Sequence, residues 1–179
     1  MLATILTWVA VALVAVVAAV LLLALMKPAR FRIERRTTIK APPEKIFPLI
    51  NDFRAWPAWS PWEKKDPNLK RDYSGAATGK GAAYAWEGNK NVGKGRMEIT
   101  ESTPPSRIVI ALDFLAPFEA HSTAEFTFAP AGDATTVIWA MHGPNSFIAK
   151  VMSIFCSMDK MVGKDFEQGL ANMKAAAER

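Results

Sequence analysis

His121 and His142 are the only imidazoles in a chain of 179 residues, so acid–base chemistry near neutral pH would have to begin with them. They fall on separate strand-like runs with no carboxylate or cysteine at metal-ligand spacing, which is not the pattern of a metal centre. No Gly-x-Ser-x-Gly elbow and no Cys-His arrangement occurs. Gly79-Lys-Gly81 and Gly93-Lys-Gly95 lack a following helix and read as strand-end turns, not phosphate loops. No residue is nominated as catalytic, and no cofactor or metal is expected. Arg35, Arg96 and His121 are the polar candidates for the mouth of a cavity. Against that stands a structural ion pair for each arginine and surface exposure for His121.

Far more of the chain is equipped to surround an apolar molecule. Trp56, Trp59 and Trp62 lie three apart between breakers Pro57 and Pro61, which predicts short helical turns with a shared aromatic face. That cluster serves equally as a rigid plug of the core, a ligand-lining wall, or a lip facing a membrane or a protein partner. Alternation puts Tyr84, Trp86, Met97, Ile110, Phe114, Phe118 and Trp139 on one sheet face, with Ala120, Ser122 and Ala124 as small residues among them. Small inward residues opposite a Met-rich helix leave volume for a cavity, unless a bulky neighbour simply fills it. The candidate lining is therefore Trp56, Trp59, Trp62, Tyr84, Trp86, Met97, Ile110, Phe114, Phe118, Ser122 and Trp139, with Met158, Met161 and Phe166 from the helix.

These residues need elements to hold them. Residues 145–179 repeat Phe147, Val151, Ile154/Phe155, Met158, Met161/Val162, Phe166, Leu170 and Met173 at helical spacing, which predicts one long helix capped by Asn145. At about 1.5 Å per residue it would outgrow a small domain, so a bend is expected at Gly163 or near Ser157-Met158-Asp159. Cys156 lies in the stripe and reads as a small buried apolar residue; being alone, it allows no internal disulfide. Residues 30–40 alternate as a half-buried strand, with Arg35 on the apolar side and in need of a carboxylate or water. Pro43 opens a helix through Ile46, Phe47, Leu49 and Ile50. Glu63 to Arg71 reads as charged and exposed. Successive antiparallel strands follow around Tyr73 and over 82–87, 95–100, 107–114, 118–128 and 135–142.

Leu2 to Met26 carries no charge, and as a helix it would span about 37 Å, enough for a hydrocarbon core of about 30 Å. It reads as a transmembrane anchor in preference to a cleaved signal peptide, because the apolar run is long, no Lys or Arg precedes it and no A-x-A-like site precedes Lys27. The formal net charge is +5, and it resides entirely between Lys27 and Lys40, where six basic residues meet one acid; the remainder balances. Basic residues beside an apolar span point to headgroups and topology, not to nucleic acid. The positive-inside rule then places a single-pass protein in the inner membrane, N-terminus out, with its domain on the cytoplasmic side.

Four stretches carry a resemblance: Asn51-Asp-Phe-Arg-x-Trp-x-x-Trp-Ser-Pro-Trp-Glu63, Gly79-Lys-Gly-Ala-x-Tyr-x-Trp-Glu-Gly-Asn89, Val92-Gly-x-Gly-Arg-Met-x-Ile99 and Asp159-Lys-Met-Val-Gly-Lys-Asp-Phe-Glu-Gln-Gly-Leu170. With the order of elements they resemble the SRPBCC (START-like) superfamily, in its polyketide cyclase/dehydrase and lipid transport branch. The resemblance implies an α+β helix-grip fold, a curved antiparallel sheet of about seven strands around a long C-terminal helix, with an apolar cavity between them. Residues 1–27 would be the anchor and 28–179 the domain. It further implies a lipid, quinone or polyketide-like ligand and no catalytic signature to carry over. The expected function is membrane-anchored binding or transport of such a ligand. A cyclase/dehydratase-type enzyme and a membrane-complex scaffold using the Trp cluster are the alternatives.

Overall fold

The computed structural model describes the backbone of residues 1–179 and every side chain except those of Met158 and Met161. The chain condenses into two compact units, residues 1–31 with 144–158, and residues 32–143 with 159–179.

The second unit holds most of a seven-stranded antiparallel sheet: β1 (Arg30–Ile39), β2 (Lys70–Gly75), β3 (Ala82–Glu87), β4 (Lys94–Thr103), β5 (Arg107–Ala116), β6 (Ala120–Ala131) and β7 (Ala134–Pro144), in the order β1-β7-β6-β5-β4-β3-β2. Between β1 and β2 run two single-turn helices, α2 (Pro43–Ile46) and α3 (Pro48–Asn51), then 3₁₀ turns over Phe53–Ala58 and Trp62–Lys64. The single helix expected from Pro43 is split because Pro48 opens a new helix at its first position. Across the sheet the helix α5 (Met158–Ala177) buries Phe166, Leu170, Met173 and Ala177, spaced four, three and four apart, and the strands fully enclose Ile99, Ile108, Ile110, Phe126 and Val137. Each large side chain so enclosed contributes roughly 1.5–3 kcal/mol. This is the helix-grip arrangement.

In the first unit α1 (Leu2–Met26) is a 25-residue apolar helix, long and apolar enough to cross a membrane. With it goes α4 (Phe147–Phe155). The long helical stretch therefore breaks at Cys156-Ser157, one of the two places expected, and its cap is Ser146, whose Oγ accepts from Ala149 N at 3.2 Å, not Asn145. Cys156 is exposed, contrary to the buried position expected, because the stripe loses its cover where the helix stops.

Gly163 is not the bend. A Cβ there would collide with the Arg35 guanidinium, so the glycine is the notch through which Arg35 reaches α5. Arg35 donates from Nη1 to Asp159 Oδ1 at 2.9 Å and from Nε to Glu167 Oε1 at 2.7 Å, so acceptors one turn on either side of the notch hold it. The carboxylate or water that Arg35 was expected to need is thus two carboxylates. Arg35 holds Asp159 below its ordinary value of 3.8, chiefly through the hydrogen bond. A carboxyl whose folded value is depressed adds stability that is fully present above the unfolded value and disappears as pH falls through the folded one. Thermal melts of wild type and Asp159→Asn should therefore differ at neutral pH and converge below the ordinary carboxylate range.

Candidate functional site

Between the sheet and α5, inside the second unit, lies a cavity of about 320 Å³. Alternation along the strands supplies Tyr84 and Trp86 from β3, Met97 from β4, Ile110, Leu112 and Phe114 from β5, Ala124 from β6, and Trp139 and Met141 from β7. Helix α5 adds Val162 and Phe166, and the 3₁₀ region adds Trp56, Trp62, Ser60 and Glu63. The loop before β4 contributes Lys90, Asn91, Val92 and Gly93, and the end of β5 contributes Ala116 and Pro117. Lys90, Asn91 and Pro117 are exposed, which puts the mouth at these loops.

Ring packing fixes the walls. Trp139 stacks on Phe166 with centroids 4.0 Å apart and planes 6° from parallel, and Trp62 meets both edge-on. On the other side Tyr84 stacks on Trp86 at 6.0 Å, and Trp86 meets Phe114 edge-on. Gly95 makes that wall possible, since a Cβ there would run into the Trp86 ring and the Asp113 carbonyl. Trp139 Nε1 is buried without a hydrogen-bond partner among the described residues, a polar cost that the stack with Phe166 has to offset.

One carboxyl group stands in this apolar wall. Glu63, expected on the surface, is 9% exposed; it accepts from Tyr84 Oη at 2.7 Å and from Arg71 Nε at 2.7 Å. Burial, reinforced by the bond to Glu63, pushes the Tyr84 phenol well above its ordinary value, so it remains a donor at neutral pH. The bond to Glu63 likewise raises Arg71 and keeps it charged. Asp66, also buried, accepts from Asn89 N at 2.6 Å and from Asn68 N at 2.9 Å, tying down the loop that carries the mouth residues.

Of the residues nominated from the sequence, Trp56, Trp62, Tyr84, Trp86, Met97, Ile110, Phe114, Trp139 and Phe166 converge on this cavity. Trp59 does not: it is fully enclosed behind the wall, a plug and not a lining residue. Phe118 is 78% exposed, because the strand expected over 118–128 starts only at Ala120 and Phe118 belongs to the turn before it. Ser122 pairs with Leu112 but stays outside the lining. The side chains of Met158 and Met161 lie outside the described residues. None of the polar candidates reaches the mouth. Arg35 is engaged with α5, while Arg96 and His121 share Asp113 on the outer sheet face, at 3.2 Å and 2.7 Å.

The lining residues not nominated were Ser60, Glu63, Leu69, Leu112, Ala124, Met141, Val162 and the loops at 90–93 and 116–117. For Glu63 a signal existed: Ser60, Glu63 and Asp66 repeat the three-residue spacing of the tryptophans, and all three are buried. For the loops none existed, since no periodicity reports which turn folds over a sheet end. Among the described residues no three of His, Cys, Asp and Glu converge as a metal site.

Residues 30–178 match the family described as polyketide cyclase / dehydrase and lipid transport. No match was found among curated proteins. Among solved structures the chain is similar to protein CV1439 from Chromobacterium violaceum, at 18% identity and TM-score 0.59, covering 86% of this chain and 99% of that one. It is also similar to the Aha1 dimer from Colwellia psychrerythraea, at 19% identity and TM-score 0.55, covering 83% and 96%. The di-domain ARO/CYC protein BexL matches at 15% identity and TM-score 0.63, covering 88% of this chain and 53% of BexL. At such identities the structures speak for the fold alone. The match over residues 30–178 goes further: the chain belongs to the polyketide cyclase/dehydrase and lipid transport family.

Proposed function

We propose that this protein is a membrane-anchored binder of a hydrophobic small molecule, held in the cavity between the sheet and α5. One observation carries the reading: a cavity of about 320 Å³ walled by aromatic and aliphatic side chains, whose one carboxylate is already engaged by Tyr84 and Arg71. A pocket in the range of about 300–1,000 Å³ with few polar groups suits a compact apolar ligand. The family's description, which includes lipid transport, points the same way. The cyclase or dehydratase alternative is disfavoured because Arg35 and His121 stand away from the cavity and Glu63 is occupied. The scaffold alternative loses Trp56 and Trp59, which are buried.

Ala124, small and 5% exposed on the cavity wall, is the place to test this. Full-length protein purified in mild detergent should release an apolar compound on solvent extraction, detected by mass spectrometry, and Ala124→Phe should reduce its yield at least tenfold while the circular dichroism spectrum is retained. Equal yields from the two proteins would refute the cavity as the binding place.

The helix α1 is the anchor in this reading, and the basic block after it sets the orientation, with the domain on the cytoplasmic side of the inner membrane. A C-terminal fluorescent-protein fusion should be bright and a C-terminal alkaline phosphatase fusion inactive. The opposite pair of results would place the domain outside.

A further inference from the structure

Helix α4 has its polarity reversed relative to a helix facing water. Its exposed residues, Phe147, Ile148, Met152 and Phe155, are all apolar, with Ile148 at 72% and Phe155 at 70% exposure, whereas Lys150 and Ser153 are half-buried. Ile148, Met152 and Phe155 are spaced four and three apart and form one stripe along the helix. The Ser153 hydroxyl spends its proton within the helix, donating to the Lys150 carbonyl at 2.7 Å.

The position of this helix is set by α1. The two are in contact within the first unit, and Ala24, near the end of α1, is the one fully buried residue of that helix. Just past α1, Asn145 donates from its backbone N to the Ala29 carbonyl at 2.8 Å and from Nδ2 to the Pro28 carbonyl at 3.2 Å. The start of α4 is thereby fastened to the residues that leave the apolar span, beside the basic block that begins at Lys27.

We infer that α4 is a second membrane contact, lying in the bilayer interface with Ile148, Met152 and Phe155 in the acyl region of the leaflet from which α1 emerges. This rests on the reading of α1 as a membrane span. A helix tied to the end of a span sits at the headgroup boundary, where apolar residues meet hydrocarbon and nearby basic residues meet lipid phosphates. The bilayer is favoured over a protein partner because α1, which α4 contacts, is itself apolar and exposed through its last turns at Leu22, Leu23, Leu25 and Met26. One hydrophobic environment covers both.

The test uses the full chain in phosphatidylcholine–phosphatidylglycerol vesicles with no other protein, in a Cys156→Ser background. An environment-sensitive fluorophore is attached at Met152→Cys in α4, at Val14→Cys in α1, or at Asp133→Cys in the β6–β7 turn. Lipids carrying a nitroxide near the headgroup should quench the label at 152 by at least half, and aqueous iodide should leave it bright; the label at 133 should behave in the opposite way. Quenching at 14 by nitroxides deep in the acyl chain, together with iodide access at 152, would overturn the α4 assignment and leave the anchor standing. Iodide access at both 14 and 152 would overturn the anchor, and the inference with it. Shielding of 152 from iodide without nitroxide quenching would mean that a second copy covers the face, which also refutes the bilayer assignment.

Discussion

Replacing Trp59 with alanine is expected to destabilise the protein by about 3–5 kcal/mol, the cost of deleting a large aromatic from a core that cannot collapse around the gap. Trp59 is fully enclosed; its ring lies 4.8 Å from Trp56, 5.4 Å from Trp139 and 6.0 Å from Phe126, centroid to centroid. Its Nε1 donates to the Leu49 carbonyl at 2.7 Å, and its own carbonyl accepts from Asn172 Nδ2 at 3.0 Å. One residue thus joins α3, the 3₁₀ region, the sheet and α5. Against a total stability of about 5–15 kcal/mol, a loss of that size removes a third or more. Urea unfolding followed by near-ultraviolet circular dichroism should show the midpoint fall steeply, and an unchanged midpoint would contradict the enclosed position. It follows that Trp59→Ala is a poor probe of partner binding, since lost binding would only report lost folding.

Arg71→Met should be the next largest effect, about 3 kcal/mol, because it leaves the Glu63 carboxylate in the cavity wall with Tyr84 as its remaining side-chain partner. The Glu63 side chain is 5% exposed, so water does little for it, whereas Arg71 at 30% is partly solvated and limits the loss. Glu63→Gln, which removes the charge and keeps an acceptor for Tyr84, should cost closer to 1 kcal/mol. The double variant Glu63→Leu with Arg71→Met should recover much of the single loss, since removing both partners leaves no uncompensated charge. If instead the two losses add, the pair is not coupled and the contact is screened like a surface bridge.

Particular residues show how far the sequence carries. Strand alternation placed Tyr84, Trp86, Met97, Ile110, Phe114 and Trp139 on one face, and they line one cavity, because side-chain direction in a strand is a local property. The same rule failed at Phe118, since it says nothing of where a strand begins. The apolar stripe over 145–179 was legible, but not its division into one helix that covers the sheet and one that goes with α1. Apolar spacing is the same whether the cover is protein or lipid. Arg35 showed its need for a carboxylate or water. That two partners lie either side of a glycine notch on another element is a tertiary fact with no local signature.

The placement of the tryptophans makes the protein its own spectroscopic probe. Trp56, Trp62, Trp86 and Trp139 touch the cavity, Trp59 lies directly behind it, and Trp8 in α1 is the sixth. Any molecule entering the cavity changes the polarity and collisional surroundings of four indoles at once, while Trp8 contributes a constant background that Trp8→Phe removes. Occupancy can therefore be followed by intrinsic emission on unlabelled protein. Energy transfer among rings 4.8 to 5.7 Å apart makes an acceptor chromophore in the cavity extinguish Trp56, Trp59, Trp62 and Trp139 together, not the nearest ring alone.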